Sequence, residues 1–122
     1  MRHLGLLLVA LLFTACASDG EGATVPSVSD SASVSDPEVA TAIADLVARA
    51  GVTADEITVV SVDEVTWRNS SIGCPEPGGR YLQALVDGRR IVLEAAGRHY
   101  EYHSGGRRPV FYCATPERPV GE

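Results

Sequence analysis

The chain has 122 residues, of which 16 are acidic and 10 are basic, and its formal net charge is −6. This length suits one small domain. The basic residues are all arginines and form no stripe interleaved with aromatic residues, which argues against a nucleic-acid partner. The sequence lacks the motifs of serine hydrolases, zinc proteases and phosphate-binding loops. We therefore expect neither enzymatic activity nor a cofactor.

The first fifteen residues have the form of an export signal. Arg2 and His3 precede an unbroken apolar run over residues 4–13. That run is too short to cross a hydrocarbon core of about 30 Å, which takes about 20 helical residues. A charged start, a short apolar run and small residues after it are typical of a signal peptide. We expect residues 1–15 to be that signal.

The predicted signal ends at a cysteine. Residues 13–16 read FTAC and resemble the lipobox of bacterial lipoprotein signal peptides, with Phe13 where the family usually has Leu. The resemblance implies cleavage before Cys16 and a diacylglycerol on its sulfur. Several acyl chains anchor a protein stably, whereas a single chain is marginal. The resemblance thus implies an extracytoplasmic protein held by lipid on the cell membrane or the outer membrane.

The mature chain divides into a tether and a domain. Residues 17–35 are rich in Ser, Ala, Asp and Gly and show no apolar periodicity, which predicts a flexible tether. With Cys16 in front, this segment covers residues 16–35. Residues 36–122 form the predicted single small domain.

One helix is predicted at the start of the domain. Asp36 is a capping residue, Pro37 suits the first helical position, and Gly51 suits the end. Between them, apolar residues recur at helical spacing. These are Val39, Ile43, Leu46, Val47 and Ala50.

The remainder predicts strands. Residues 57–67 are rich in Val, Ile and Thr, and a change in their alternation predicts a bulge within residues 61–64. Tight turns are predicted at residues 87–88, 96–97 and 104–106. The resulting fold is α+β: one N-terminal helix packed on a four- to five-stranded antiparallel meander sheet with one disulfide.

The two predicted turns at residues 87–88 and 96–97 also fix the register of the hairpins. They pair Leu82 with Leu93 and Ala84 with Ile91. They also pair Leu93 with Tyr100 and Ile91 with Tyr102. One face of this sheet is apolar and needs the helix as a cover, while the other is mostly polar and faces water.

The remaining cysteines, Cys74 and Cys113, are predicted to form the disulfide, because the compartment outside the membrane usually permits one. Such a bridge closes a loop of 39 residues and contributes about 4 kcal/mol in the chain-entropy model. A small domain gains much from this constraint. The alternative is a reactive Cys74 near His99 or His103.

His99, Glu101 and His103 share one face of a predicted strand and suggest a metal site. Four strand residues span roughly 13 Å, however, and zinc–nitrogen bonds are about 2 Å long. The two histidines therefore cannot easily bind one ion, and we interpret them as a solvated face. No metal is expected.

Residues 67–81, WRNSSIGCPEPGGRY, are the most distinctive stretch. A loop constrained by a disulfide and two prolines, with Trp67 and the flanking Arg68 and Arg80, suits the binding of a partner. Alternatively, Trp67 packs over the disulfide and has only a structural role.

Residues 57–113 also resemble an uncharacterised group of small exported bacterial domains, in which Trp, Gly-Cys-Pro and a YEYH-like strand recur in this order. The resemblance implies a shared fold and no catalytic function. The order of elements is similar to that of cystatin-like and PepSY-like modules, in layout only.

From these observations we expect a membrane-anchored lipoprotein that acts as a non-catalytic binding module at the cell envelope, with an envelope protein as a possible partner. The alternatives are an inhibitor of a peptidase or a cell-wall hydrolase, and a weak metal-binding protein that uses His99, Glu101 and His103.

Overall fold

The computed structural model describes residues 35–122. The predictions made for the signal peptide, the lipid on Cys16 and nearly all of the tether lie outside this range. Within it, the chain forms one α-helix, a short 3-10 turn and four strands. These are α1 (Pro37–Ala50), the turn (Ala54–Glu56), β1 (Thr58–Trp67), β2 (Val86–Ala95), β3 (Arg98–Gly105) and β4 (Arg108–Cys113).

Local chemistry sets the ends of α1. The Asp36 carboxylate accepts hydrogen bonds from the backbone N–H groups of Glu38 (2.9 Å) and Val39 (3.4 Å), which satisfies two of the otherwise unpaired donors of the first turn. At the other end Gly51 has φ 66°, and its N–H bonds to the Val47 carbonyl. This is the left-handed cap that glycine adopts without strain.

One face of α1 packs on one face of the sheet, and this contact forms the main core. The helix contributes side chains spaced three and four residues apart, and β2 and β3 contribute alternate side chains. The core residues are Val39, Ala42, Leu46, Ile91, Leu93, Ala95 and Tyr102.

The four strands form an antiparallel meander in the order β1-β2-β3-β4, so the prediction of an antiparallel meander with four or five strands is confirmed, with four strands within residues 35–122. The predicted pairings of Ile91 with Tyr102 and of Leu93 with Tyr100 are also confirmed. A two-residue turn at Ala96 and Gly97 connects β2 to β3, and both residues have positive φ, 50° and 73°.

The turn predicted at residues 87–88 is wrong, and so are the strand before it and its pairings. Residues 87–88 lie inside β2, and the partner of β2 is β1, in which Val62 pairs with Ile91 and Val59 with Leu93. Gly88 is needed for another reason. A Cβ on Gly88 would overlap the Ser104 carbonyl and the Trp67 side chain, so this glycine permits close packing rather than a reverse turn.

The predicted bulge exists, but it lies one residue earlier than expected. The register of β1 against β2 shifts between Val59 and Ser61, which leaves Val60 as the extra residue. Its side chain is 47% exposed. A bulge on an edge strand bends the strand and hinders pairing with a second chain.

The second face of the sheet is only partly open to water, contrary to our expectation of a solvated face: His99 and Glu94 are exposed, but the other end of the face is covered. It carries the buried side chains of Trp67 and His103. The loop over residues 68–85 and the C-terminal segment over residues 114–122 cover them, and the cover includes the buried Pro119. The domain thus has three layers: a helix, a sheet and an irregular layer.

Arg89 on β2 ties the start of α1 to the sheet. Its guanidinium nitrogens lie 2.6 Å from Asp36, 2.7 Å from Glu38 and 3.1 Å from Glu64. The hydrogen bond from Arg89 lowers the pKa of Asp36. The Arg89 side chain is only 22% exposed, so water screens these contacts less than it screens an ion pair on the open surface.

Replacing Arg89 with Met should therefore cost about 1–2 kcal/mol near neutral pH. Because the folded-state pKa of Asp36 lies below its unfolded value of about 3.9, the contribution is complete above that value and is lost as the pH falls through the folded pKa. The stability difference between wild type and Arg89→Met, measured by urea unfolding, should shrink below about pH 4. Arg98→Met, which alters an exposed arginine, is the control and should show no such convergence.

Ala96 is a second test of the fold. An exposed alanine at φ 50° carries the strain of a left-handed conformation, about 1 kcal/mol. Ala96→Gly should raise the free energy of unfolding by up to this amount, whereas Ala96→Val should lower it. Denaturant midpoints at constant m-value measure both changes. Equal midpoints for the two variants would contradict this account.

Candidate functional site

Trp67 lies under the loop that the sequence singled out. The side chain is fully buried, and its Nε1 donates a hydrogen bond to the Ser104 carbonyl at 3.0 Å. Its ring stacks on the imidazole of His103, with 4.2 Å between the ring centroids. Trp67 therefore supports the loop from below and presents no surface to a partner.

His103 occupies the centre of this second core and is fully buried. Its Nδ1 lies 2.7 Å from the Ile72 carbonyl, and its Nε2 lies 2.8 Å from Glu101 Oε1. A carbonyl oxygen can only accept, so Nδ1 donates to Ile72. Nε2 lies within hydrogen-bond distance of the Glu101 carboxyl group. Both ring nitrogens are thus engaged within the protein.

The residues considered for a metal site are separated. His99 lies on the surface, where its Nε2 is 3.2 Å from Glu94 Oε2, while His103 is buried beneath the loop. Within residues 35–122, no group of three His, Cys, Asp or Glu side chains is arranged to bind a metal ion.

Cys74 and Cys113 form a disulfide, with 5.8 Å between their Cα atoms. This pairing was predicted, and it excludes the alternative of a reactive Cys74 thiol. The bridge joins the loop to the end of β4. The backbone of Glu117 also donates to the Gly73 carbonyl at 2.8 Å, so the C-terminal segment holds the same part of the loop.

The base of the loop is a strained, close-packed turn. Ile72 has φ 56°, which is rare for a β-branched residue, and Gly73 follows with φ 68°. Ile72 is 3% exposed, and a Cβ on Gly73 would overlap the Trp67 ring. Burial of Ile72 and the hydrogen bond from His103 to its carbonyl offset the strain. The loop base is therefore tightly constrained.

The last part of the loop, by contrast, faces solvent. Leu82 is 76% exposed and Leu85 is 68% exposed. The backbone of Leu82 exchanges two hydrogen bonds with Ser70, one from Ser70 N–H to the Leu82 carbonyl (3.0 Å) and one from Leu82 N–H to Ser70 Oγ (2.8 Å). Two large apolar side chains are thus held outward on an anchored segment.

Of the predicted binding residues, Arg68 and Arg80 are exposed on this loop and Trp67 is not. Binding by the two arginines stays a prediction. Sequence reasoning missed Leu82 and Leu85 because it placed them in a strand. Their spacing of three residues, incompatible with one face of a strand, was a usable signal. We define the contact surface as Arg68, Arg80, Leu82 and Leu85.

A second feature is an apolar groove between α1 and the start of β1, with a volume of about 750 Å³. Ile43 and Val47 of the helix face Ile57 and Val59 across it. The groove exists because the helix packs mainly against β4 and β2. Within residues 35–122, no helix has the length and apolar character needed to cross a bilayer.

The chain belongs to a protein family described as Domain of unknown function (DUF8738), which matches residues 39–113. That range holds the sheet, the loop and both cysteines of the disulfide. Searches of curated proteins and of solved structures found no match.

Gly73→Ala tests whether the loop base depends on its contact with Trp67. The added methyl group must displace the indole ring from a fully buried site, so we expect a loss of at least about 3 kcal/mol. Gly78→Ala is the matched control. Gly78 also has positive φ, 76°, but an added Cβ meets nothing within 4 Å, and its cost should be about 1 kcal/mol.

Chemical unfolding followed by the fluorescence of Trp67, the sole tryptophan of the chain, measures both variants. Equal losses for Gly73→Ala and Gly78→Ala would show that backbone conformation alone, and not packing on Trp67, sets the cost.

Proposed function

We propose that this protein is a non-catalytic binding module of the cell envelope, anchored by a lipid on Cys16, and that it binds its partner through the contact surface on the loop. The observation that carries the proposal is the contrast within this loop. Its base is fixed by a disulfide and a buried tryptophan, while two leucines and two arginines elsewhere in the loop are exposed. A rigid support lowers the entropy cost of binding.

The polar groups beneath the loop support a structural and not a catalytic role. The ring nitrogens of His103 are both engaged, and the indole N–H of Trp67 is bonded to a carbonyl. Substrate could not reach either group without removal of the loop. Interaction with a partner, in contrast, requires only the exposed contact surface.

The lipid anchor is supported by the sequence of residues 1–16 and is tested by the intact mass of the protein purified from its own membranes. We expect a chain that begins at Cys16 and carries several acyl chains. Cys16→Ser should release the protein from the membrane fraction. A mature protein that begins at Met1 without acyl chains would contradict the anchor.

Site-specific photo-crosslinking in cells tests the contact surface. A benzophenone amino acid replacing Leu82 should give a discrete adduct, because the side chain lies within the proposed interface. The same amino acid replacing Arg98, which is exposed at the start of β3, is the control and should give none. Equal labelling from both positions would remove the loop as the contact surface. If the adduct is an inactive peptidase or wall hydrolase, the protein is an inhibitor and not a neutral binding module.

A further inference from the structure

The apolar face of α1 is wider than the part of it that the four strands cover. The side chains of Val39, Ala42 and Leu46 are buried in the core. A second stripe lies beside them on the helix, at spacings of three and four residues. It forms one wall of the apolar groove and consists of Ala40, Ile43, Ala44 and Val47. Its two alanines are exposed and its two larger residues are only half-buried, so this stripe has no complete cover within residues 35–122.

The opposite wall of the groove is the start of β1. Ile57 and Val59 lie there and are also half-buried. α1 packs mainly against β4 and β2, which leaves the start of β1 uncovered on the helix side within residues 35–122. An extended segment that lay beside the helix would cover both walls at once.

The part of this chain that precedes α1 is well placed to fill the groove. Residues 1–34 join the described range just before Asp36, the cap of α1. Ala40, at the near end of the groove, is four residues and about 6 Å further along the helix. Residues 22–29 read GATVPSVS and carry no charge. The chain that leads into α1 thus contains an uncharged stretch with two valines.

The dimensions of residues 25–28, VPSV, match those of the groove. The proline holds its own φ at about −65° and restricts the preceding residue to extended conformations. In a polyproline II conformation three residues make one turn and rise about 9 Å, so Val25 and Val28 point to the same side. The helix wall from Ala40 to Val47 is about 10 Å long. The two valines can therefore contact both ends of this wall.

We infer that residues 25–28, which we call the strap, bind in this groove. Seven residues connect the strap to the cap of α1, and they span at most about 25 Å. This length is sufficient for the chain to turn back at the start of α1 and run antiparallel to the helix. Val28 then lies near Ala40, and Val25 lies near Val47.

A segment of the same chain is a better occupant than a second molecule for two reasons. The bulge at Val60 follows Val59 directly and hinders association of two sheets through this edge. A segment joined by a short linker also has an effective concentration on the order of millimolar. Burial of two valine side chains, a small gain for a complex of two separate molecules, is then sufficient for docking.

Docking of the strap changes where the tether leaves the domain. Without it, the chain leaves at Asp36, which lies 2.6 Å from Arg89 near the start of β2, and so at the end of the sheet that carries the contact surface. With the strap bound, the chain leaves beside Val47, close to Val59. Trp67, where β1 leads into the loop, is eight residues and about 26 Å further along the strand.

The strap therefore turns the contact surface away from the membrane. It also reduces the free tether from 19 residues, 17–35, to 8 residues, 17–24. The average end-to-end distance of a flexible chain then falls from about 24 Å to about 15 Å. The lipid lies on one side of the domain, and the contact surface faces an envelope protein on the other. This consequence rests on the proposed lipid anchor, whereas docking of the strap does not.

Thiol labelling tests the strap in the mature chain, residues 16–122, with Cys16→Ser. Ala44→Cys then supplies a single free thiol in the groove, because the other two cysteines form the disulfide. Val25→Ser together with Val28→Ser should raise the rate at which this thiol reacts with a maleimide at least about fivefold, because the strap no longer covers the groove.

Ala48→Cys is the matched control. Ala48 lies one turn further along the same helix, is exposed and does not line the groove. The two serine substitutions should leave the labelling rate of this variant unchanged. Circular dichroism of all variants should be the same, so that a change in rate reports on the groove and not on the fold.

Oxidative cross-linking identifies the occupant of the groove. In the same chain, Val25→Cys with Ala44→Cys should form a second disulfide within one molecule at least about tenfold faster than Val25→Cys with Ala48→Cys. The two pairs close loops of similar length, so that only docking of the strap separates their rates.

Equal labelling of Ala44→Cys with and without the two serine substitutions would overturn the inference, and so would equal cross-linking of the two cysteine pairs. A cross-link that joins two molecules would also overturn it, because a second copy would then occupy the groove. Both measurements use a chain without lipid or partner. Their failure would leave the lipid anchor and the contact surface in place, since acyl mass and crosslinking from position 82 test those separately.

Discussion

The stacking of Trp67 on His103 is the contact on which the second layer of the domain depends. A sheet covered by a single helix leaves one face to water, and its strands should then alternate apolar and polar residues. Here the indole and the imidazole bury each other at 4.2 Å. Without the loop above them, both rings would be exposed to water. The loop therefore covers the rings, and the rings support the loop from below.

This dependence explains the composition of the loop base. Gly73 is needed because the tryptophan ring fills the space of a side chain. The Ile72 carbonyl is needed as the acceptor for His103, and this fixes an unusual backbone conformation. The disulfide then joins the next residue, Cys74, to the end of β4. Constraint of the unfolded chain by a loop of this size is worth about 4 kcal/mol, which is large for a domain with so small a core.

The sequence was sufficient for the elements with strong local signals. The disulfide followed from the cysteine count, and the pairing of Ile91 with Tyr102 followed from a two-residue turn at residues 96–97. The prediction of a turn at residues 87–88 was wrong because an Asp-Gly pair can have two structural roles. It favours a tight turn, but Gly88 is present here so that Trp67 and the Ser104 backbone can approach. No local pattern distinguishes the two.

The candidate site was only half predictable for a related reason. Arg68 and Arg80 stood out beside the cysteine and the prolines. The polar face that holds Glu101 and His103 looked solvated because a buried histidine has the same sequence pattern as an exposed one. Its burial depends on Trp67, 36 residues earlier, and on the Ile72 carbonyl. Contacts over this sequence distance leave no periodicity, so the third layer could not be predicted.

The exclusive use of arginine suits the ion pairs that join the elements of this domain. Arg89 binds three carboxylates from two different elements, and Arg90 binds Asp63 and Glu122. A planar guanidinium with five donors can serve several acceptors at once, whereas a lysine ammonium is a compact point charge. Arginine at these sites fixes the helix and the C-terminal segment to the sheet.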